Sequence, residues 1–360
     1  MYHSPLVSVV VPVKNGGEQL RLCLECIKRS DYQKIEIIVV DDGSSDNSFK
    51  IATGFTTKTF RTFEPALRSN DSTHVQESIG PAGARNIGAT HCEGEIIFFV
   101  DCDVLLNSDA ISRAVNFLNS SPEYSAVFGS YDSAPSETDI ISQFRNLLHH
   151  FVHQNSNEEA ETFWSGCGAI RKNVFMNING FNSNQYPKPS VEDIELGYRL
   201  SDAGYRIFLD KELRAKHLKK WTLVNMVKTD VLFRAIPWLE LLQHRKKSPN
   251  DLNLQTTHKI SGCLMVCSVI IFGFMLDRCF FSTSPFVPYN RYIDILVPGI
   301  ILVILLITIT MINWRLYRFF MYNNGILFTV KAIPLHHLYY FYSSLTLVFF
   351  VAKNLIINRK

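Results

Sequence analysis

The sequence predicts an α/β fold in which a mostly parallel sheet is sandwiched by helices, followed by C-terminal transmembrane helices. In the N-terminal part, short β-branched runs alternate with amphipathic helical patterns, and two of these runs end in acidic clusters. Long uncharged apolar segments occupy the C-terminal part. Strands that alternate with helices form parallel sheets through right-handed crossovers.

The first predicted strand is Leu6–Val11, a β-branched run ended by Pro12. Apolar residues at helical spacing then predict a helix over Glu18–Ser30. A second buried strand, Ile35–Val40, ends in the small and acidic turn Asp41–Asp46, which we also expect to cap the next helix.

The segment Gly54–Ile79 is polar and irregular, and it predicts no regular element. Pro81 begins the next helix, and Gly94 is its expected stop. The third buried strand, Ile96–Val100, ends in the acidic segment Asp101–Asp103. Because ligands of such sheets bind beyond the carboxyl ends of the strands, we expect the two acidic clusters to lie close together there.

Three apolar segments without charge predict the membrane part. Ile260–Leu276, Ile295–Ile312 and Ile333–Ala352 contain seventeen, eighteen and twenty residues, and a span needs about twenty. The third contains a proline, two histidines and an aromatic run that resembles an interfacial belt, so two and three spans both stay open.

Basic residues precede these segments: Asp210 to Lys259 contains eleven Lys/Arg against five Asp/Glu. A basic segment of this kind suits an anionic membrane face or a phosphorylated substrate. Its position before the apolar segments predicts that the N-terminal domain is cytoplasmic. We therefore expect an α/β domain at residues 1–225, a basic juxtamembrane segment at 226–259 and two to three transmembrane helices at 260–357. The expected location is the plasma (inner) membrane, with several passes.

Two other clusters are predicted to be structural. Cys23 and Cys26 form a C-x-x-C pattern within an amphipathic helix and have no second pair. His149 and His153 share one helical face, with His150 beside them, but they lack a nearby acidic third ligand.

The main candidates for chemistry are Asp101 and Asp103, two carboxylates at a strand end that can bind Mg²⁺ or Mn²⁺. Such a cation would neutralise a diphosphate. Asp41 and Asp42 can accept hydrogen bonds from a base or a ribose, or can cap a helix. Arg85, on the helix before the third strand, can approach the diphosphate or the base.

Two later segments add candidates. In the small-residue loop Trp164–Gly168, Gly166 and Gly168 allow close backbone approach to a ligand. Glu192 and Asp193 precede a helix, whose N-terminus holds and orients carboxylates. Such a group can take a proton from an acceptor hydroxyl as that hydroxyl attacks, although ordinary helix capping explains the same pattern.

These motifs, taken in order, resemble glycosyltransferase family 2, which has the Rossmann-like GT-A fold. The resemblance covers about residues 5–225 and rests on seven motifs: Val7–Asn15, Val40–Asp46, Gly83–Gly88, Asp101-x-Asp103, Gly166–Gly168, Glu192-Asp193 and His217. It implies a metal-dependent transferase that uses a nucleotide diphosphate sugar, commonly a UDP-sugar. It also implies inversion at the anomeric carbon by a single in-line displacement.

The resemblance implies that Pro12 and Asn15 border the nucleotide pocket. Asp41 or Asp42 would contact the base and the ribose, and Asp101 would hold the ribose or the sugar.

For the reaction itself, the resemblance implies that Asp103 binds Mn²⁺ or Mg²⁺, with Asp101 nearby and His217 as a second protein ligand. Asp193 would be the catalytic base, and Glu192 beside it would contact the acceptor or the donor.

Departures from the family pattern narrow the subtype. Polyprenyl-phosphate sugar transferases usually have a glutamine two residues after the D-x-D motif, whereas Val104-Leu105 follows Asp103 here. His217–Trp221 has the spacing of the Q-x-x-R-W motif of processive synthases, with His and Lys substituted. We therefore favour a non-processive transferase whose partners are the donor, a lipid or lipid-linked acceptor and the membrane, but no nucleic acid.

Three alternatives stay open: a polyprenyl-phosphate sugar transferase, a membrane-tethered nucleotidyltransferase and an inactive sugar-nucleotide-binding protein. A nucleotidyltransferase would have a glycine-rich basic loop after the first strand, which Pro12–Gly17 matches poorly. An inactive binder would lack a key acid, and none of the candidates is missing. A dinucleotide oxidoreductase needs G-x-G-x-x-G, which the sequence lacks.

Overall fold

The computed structural model describes residues 4–63, 78–245, 252, 255–280 and 292–357. The chain divides into two compact units, Met1–Lys220 and Trp221–Lys360, hereafter the N-terminal and C-terminal units. The division falls a few residues before the predicted boundary at residue 225.

The described part of the N-terminal unit is an α/β domain. Its strands are β1 (Val7–Val13), β2 (Ile35–Asp41), β3 (Thr59–Arg61), β4 (Ile96–Val100), β5 (Val104–Leu106), β6 (Tyr124–Tyr131), β7 (Glu159–Ala160), β8 (Cys167–Arg171) and β9 (Arg206–His217). Its helices are α1 (Gly17–Lys28), α2 (Ser48–Phe55), α3 (Gly80–Thr90), α4 (Ala110–Ser120), α5 (Ile140–Gln154), α6 (Lys172–Asn177) and α7 (Glu192–Asp202).

All the strands form one sheet in the order β3-β2-β1-β4-β8-β6-β9-β5, and β7 pairs with β9. The predicted β-α-β-α-β arrangement is confirmed, because β3, β2, β1 and β4 run parallel. The other half of the sheet is mixed rather than parallel: β8 is antiparallel to β4 and β6, and β9 is antiparallel to β5 and β7. The start of β8 therefore lies beside the carboxyl end of β4.

Strand β1 extends beyond its predicted end and includes Pro12. Residue 12 faces Val40 in β2, whereas the pairing of β1 with β4 stops at Val10 and Phe99. The backbone groups of even-numbered residues along this strand point toward β4. Leu6, just before β1, shows this, because its carbonyl accepts from the Glu95 N–H, and the nitrogen of Pro12 points the same way. Proline cannot donate to a ladder, and it is tolerated here because it lies past the end of that pairing.

Two predictions along the helices need correction. Helix α3 ends at Thr90, and Gly94 lies beyond it, where a Cβ atom would be 2.5 Å from the Leu6 carbonyl oxygen. Gly94 thus permits close approach to the start of β1 and is not a helix cap. The segment 54–79, which predicted no element, contains the end of α2 and strand β3, while residues 64–77 lie outside the described residues.

Apolar side chains cover both faces of the sheet. On one face, odd-numbered residues of β1 pack with Leu20, Cys23 and Leu24 of α1 and with α4 in a single buried cluster. On the other face, Gly88 of α3 lies against Val10. This is the predicted sandwich, and Cys23 is a buried free thiol within it, as expected for a structural residue.

The described part of the C-terminal unit is helical. Its elements are α8 (Leu223–Lys228), a π-helical segment (Thr229–Ala235), α9 (Ile236–His244), α10 (Thr256–Phe280), a second π-helical segment (Tyr292–Leu296), α11 (Val297–Ile312) and α12 (Trp314–Ile357). Thr256–Phe280 and Ile293–Ile312 are long and apolar enough to cross a membrane. Much of their surface is apolar and exposed, including Ile270 and Val303.

The third predicted span lies within the 44-residue helix α12, which contains a non-helical residue at Gly325. The tyrosines expected at a membrane interface include two that are buried inside the C-terminal unit. Tyr340 donates to Asn313, and Tyr342 donates to Asp230. Helix α10 continues past Leu276, the predicted end of the first apolar segment, to Phe280.

Candidate active site

Asp41 and Asp42 follow one another at the carboxyl end of β2, and both are buried. Oδ1 of Asp41 accepts a hydrogen bond from the Ser44 N–H at 2.9 Å, and its Oδ2 lies 3.6 Å from Nε of Arg61. Asp41 therefore stabilises the turn after the strand.

The carboxylate of Asp42 has four donors. It accepts from the Thr62 hydroxyl at 3.0 Å, the Ile79 N–H at 3.0 Å, the Gly80 N–H at 2.9 Å and the Ser78 hydroxyl. These contacts tie β2 to the start of α3. The sequence left Asp41 and Asp42 equivalent, whereas in the structure Asp41 bonds to the turn after β2 and Asp42 bonds to the start of α3.

Asn15 closes the loop after β1. Its backbone has φ = 54°, a left-handed conformation that asparagine tolerates better than most residues. Its N–H donates to the Ser44 hydroxyl at 2.9 Å, and its Oδ1 accepts from the Ser45 N–H at 2.8 Å. The ends of β1 and β2 are thereby joined, with the predicted nucleotide-side residues Pro12, Asn15 and Asp41 at one edge of the sheet.

Arg85, on α3, connects two carboxylates at that edge. Its Nη2 lies 2.6 Å from Oδ1 of Asp101, and its Nη1 lies 3.0 Å from Oε1 of Glu192. The guanidinium is buried, and within the described residues its Nε finds no acceptor. The two carboxylates raise the pKa of Arg85 despite its burial, so the guanidinium stays charged. Arg85 was predicted to approach a donor substrate, and its observed partners are protein carboxylates.

Glu192 and Asp193 are the first two residues of α7, as the acidic pattern predicted. Glu192 is buried, and its second oxygen accepts from the Ser190 N–H at 2.8 Å. Asp193 is partly exposed, and it accepts from the Ile194 N–H at 2.8 Å and the Ser165 N–H at 3.4 Å.

The environment of Asp193 suits a proton acceptor. Burial and the neighbouring charge of Glu192 raise its pKa to about 7, against the opposing effect of Arg85. A carboxyl with a pKa near the working pH is well matched to general base catalysis.

Asp103 and His217 come together because β5 and β9 pair at this point, with Val104 opposite His217. Oδ2 of Asp103 lies 3.5 Å from Nε2 of His217. Burial alone would raise the pKa of Asp103, but His217 and Lys219 lower it, so the carboxyl stays charged. Tyr131, at the end of β6, stacks on the His217 ring at a centroid distance of 4.4 Å and holds its orientation.

This pair fits a divalent metal. Mg²⁺ is typically bound by one or two protein side chains together with substrate phosphates and waters. Asp103 and His217 supply one carboxylate and one imidazole that converge, and Asp101 is two residues from Asp103 on the same turn. Among the described residues, no ready group of three or more His, Cys, Asp or Glu converges as a metal site.

The two glycines of the small-residue loop have packing roles. A Cβ atom on Gly166 would lie 2.6 Å from the Trp164 ring, and one on Gly168 would lie 2.6 Å from the Trp164 carbonyl oxygen. Sequence reasoning assigned both to close approach of a ligand. Trp164 and Phe163 occupy the positions where the Cβ atoms would lie, and the Gly166 carbonyl accepts from the Asp101 N–H at 3.3 Å. Close approach of a ligand to these glycines stays a prediction.

The histidine cluster on α5 is structural, as expected. Nδ1 of His150 contacts the Tyr131 carbonyl at 2.6 Å, and Nδ1 of His153 contacts the Gly129 carbonyl at 3.0 Å. His149 packs on Tyr131 and Trp164. Sequence reasoning missed Tyr131 and Ser165, because an aromatic residue in a strand and a serine in a loop carry no distinguishing pattern.

The family model described as Glycosyl transferase family 2 matches residues 8–178, and the one described as N-terminal domain of galactosyltransferase matches residues 145–221. The chain is 40% identical over 108 residues to glycosyltransferase GlyG of Streptococcus pneumoniae, which covers 30% of this chain and 33% of that protein. It is 36% identical over 118 residues to an uncharacterized glycosyltransferase of Haemophilus influenzae, covering 32% and 42%. The chain thus spans between a third and a half of the length of these curated relatives.

The chain is also similar to a solved structure, the mannosyltransferase PcManGT from Pyrobaculum calidifontis in complex with GDP-Man and Mn²⁺. The TM-score is 0.57 at 16% sequence identity, and the match covers 93% of this chain and 88% of that one. A likeness at this identity shows the fold, and the predicted GT-A fold is confirmed.

Proposed function

We propose that the chain, whose residues 8–178 match the glycosyltransferase family 2 model, is an inverting, metal-dependent transferase of that family. It moves a sugar from a nucleotide diphosphate sugar to a lipid or lipid-linked acceptor at the cytoplasmic membrane face. The observation that carries this proposal is the cluster at the carboxyl edge of the sheet. There Asp103 lies beside His217, and Asp101, two residues before Asp103, acts on the Asp193 carboxyl, whose pKa is raised.

The donor binds, in this proposal, along the edge formed by β1, β2 and β4. Asp41 and Asn15 contact the nucleoside, and Asp101 contacts the ribose or the sugar. Asp103 and His217 hold Mn²⁺ or Mg²⁺, which when bound offsets the charge of the diphosphate leaving group. The GDP-Man and Mn²⁺ in the similar mannosyltransferase support a nucleotide sugar and a divalent metal, and we propose a UDP-sugar as the donor.

The reaction is a single displacement. An acceptor hydroxyl oxygen attacks the anomeric carbon, and Asp193 takes the proton of that hydroxyl. The bond from the anomeric carbon to the diphosphate oxygen breaks, and the nucleoside diphosphate leaves with the electron pair. Glu192, held by Arg85 and the Ser190 N–H, keeps Asp193 at the start of α7.

The C-terminal unit supports a membrane-bound acceptor. Two of its helices are apolar and long enough to span a bilayer, and Lys/Arg residues precede them in the sequence. Tethering a catalytic domain to a membrane raises the effective concentration of a lipid acceptor. We propose a multi-pass protein of the plasma (inner) membrane with the N-terminal unit in the cytoplasm.

The test is a donor panel with the detergent-solubilised full chain. UDP-, GDP- and dTDP-sugars are incubated with total membrane lipid and Mn²⁺, Mg²⁺ or chelator, and both donor hydrolysis and lipid labelling are measured. The proposal predicts a chelator-sensitive signal with one donor. Pyrophosphate release would indicate a nucleotidyltransferase, and absence of both metal-dependent nucleotide binding and transfer would overturn the proposal.

A further inference from the structure

Arg85 lies between two carboxylates that belong to different parts of the site. It comes from α3, while Asp101 follows β4 and Glu192 begins α7. We propose that Arg85 is a positioning residue that fixes the start of α7, and therefore Asp193, against the end of β4. This inference rests on the proposed transferase function, because it gives Arg85 a role in placing the base relative to the donor.

The contacts of Arg85 favour this role over direct binding of a diphosphate. Both terminal nitrogens are engaged by carboxylates, at 2.6 Å and 3.0 Å, and the side chain is only 4% exposed. An arginine that binds a diphosphate presents its planar fork to the ligand. Here the fork is divided between Asp101 and Glu192, so it acts as an internal bridge.

Hydrogen bonds hold both Glu192 and the base that follows it in the chain, Asp193. Glu192, which accepts from Arg85, also accepts from the Ser190 N–H just before α7. The next residue, Asp193, accepts from the Ile194 and Ser165 N–H groups. Glu192 is therefore fixed from two sides, and its backbone sets where the Asp193 carboxylate lies.

The bridge also balances charge. The charged groups that face Asp193 are Glu192 and Asp101, which raise its pKa, and Arg85, which lowers it. Without the Arg85 guanidinium, the carboxylates of Asp101, Glu192 and Asp193 would share one partly buried site with no opposite charge from Arg85. An opposite charge at this range typically lowers a carboxyl pKa by about 1–3, so removing Arg85 raises the pH at which Asp193 becomes a base.

The experiment measures kcat/KM against pH for the wild type, Arg85→Gln and Arg85→Lys, with the sugar nucleotide that is active in the donor panel. In Arg85→Gln, the acid limb of the kcat/KM profile, which reports the ionisation of Asp193, is expected to move to higher pH by at least about one unit. The same substitution is expected to lower kcat. Arg85→Lys restores the charge but not the two-way bridge, so its acid limb returns toward the wild-type position while kcat stays low.

Arg199→Gln is the matched control. Arg199 also bonds a carboxylate on α7, Glu195, together with the Ile178 and Gly180 carbonyls. Its removal therefore loosens the helix without changing the charge that faces Asp193. We expect its acid limb to be unchanged. An unchanged limb in Arg85→Gln, or an equal shift in Arg199→Gln, overturns the inference.

A second measurement needs no activity. The effect of Asp193→Asn on the unfolding temperature is compared from pH 5 to pH 9 in the wild-type and the Arg85→Lys and Arg85→Gln backgrounds. The increase in unfolding temperature caused by Asp193→Asn should grow as pH rises. It should continue to grow to a higher pH in the Arg85→Gln background than in the other two backgrounds. The same pH dependence in all three backgrounds overturns the inference. Failure of the transferase proposal shows instead as no transfer by the wild type.

If Arg85→Gln does not fold, Glu192→Gln takes its place. It removes one negative charge beside Asp193, so the acid limb and the stability titration should both move to lower pH. Movement in the opposite direction, or none, contradicts the electrostatic arrangement on which the inference depends.

Discussion

Replacing Asp193 by asparagine should abolish transfer and at the same time stabilise the protein at alkaline pH. The carboxyl of Asp193 has a pKa of about 7 in the folded protein, against an ordinary value of 3.8. The folded state binds the Asp193 proton more tightly than the unfolded state does. Asp193 therefore lowers the free energy of unfolding by an amount that grows as pH rises from about 4 to about 7 and is constant above that range. Asparagine has no such titration.

The magnitude follows from the size of this difference. Each pKa unit corresponds to 1.36 kcal/mol, so the ionised Asp193 costs up to about 4 kcal/mol at pH 8 and less than about 2 kcal/mol at pH 5. The gain from Asp193→Asn should therefore grow by about 2–3 kcal/mol between pH 5 and pH 8. The asparagine introduced by this substitution can keep the hydrogen bonds from the Ser165 and Ile194 N–H groups through its amide oxygen.

The assay is thermal unfolding of both proteins in detergent at pH 5, 6.5 and 8, with activity measured in parallel. Wild-type kcat/KM should fall about tenfold per pH unit below about pH 7, after correction for nucleotide binding at each pH. A difference in unfolding temperature that does not vary with pH would refute the raised pKa. Near wild-type turnover by Asp193→Asn would refute its role as the base.

Three further predictions test the rest of the site. Asp103→Ala should weaken Mn²⁺-dependent UDP binding at least tenfold while metal-free binding stays the same, and an unchanged calorimetric metal titration would contradict its assignment as a ligand. Asp42→Ala should lower stability by about 3 kcal/mol or more, because it leaves four donors, including the buried Gly80 N–H, without their acceptor. Asp41→Asn should instead weaken nucleotide binding more than stability, and equal effects of the two substitutions on both quantities would contradict this distinction. Gly168→Ala should lower the stability of the protein by about 1–3 kcal/mol, because the added Cβ atom would clash with the Trp164 carbonyl. The control is Gly54→Ala in α2, which has open space around it and should be neutral or stabilising. Similar unfolding temperatures for the two variants would exclude the packing role of Gly168.

Strands β1, β2 and β4 of the parallel half of the sheet were predictable because their signals are local, whereas the short strand β3 was missed. Strand Ile96–Val100 has the predicted bounds, and the acids after β2 and β4 follow from the chain direction. The mixed half was not predictable, because antiparallel pairing of β8 with β4 depends on contacts between residues far apart in sequence. Periodicity reports the existence of a strand but not its partner or its direction.

The candidate residues were found by type and order, but their partners were not. The sequence identified Arg85, Asp101 and Glu192 separately, and only the fold shows that one guanidinium joins the other two. Gly166 and Gly168 illustrate the converse, since a glycine needed for packing against Trp164 looks the same in sequence as one needed for a ligand. Tyr131 was missed because its stacking on His217 arises from the alignment of β6 with β9.

The most direct test of the central claim is transfer of a radiolabelled sugar from its nucleotide diphosphate into membrane lipid by the purified full chain, with Asp193→Asn beside it. Wild-type protein should label a lipid in a chelator-sensitive manner, and Asp193→Asn should bind the same donor with similar affinity but label none. Lipid labelling by both proteins would contradict the role of Asp193 as the base. Labelling by neither protein, despite metal-dependent donor binding and a full set of membrane lipids, would contradict the transferase activity.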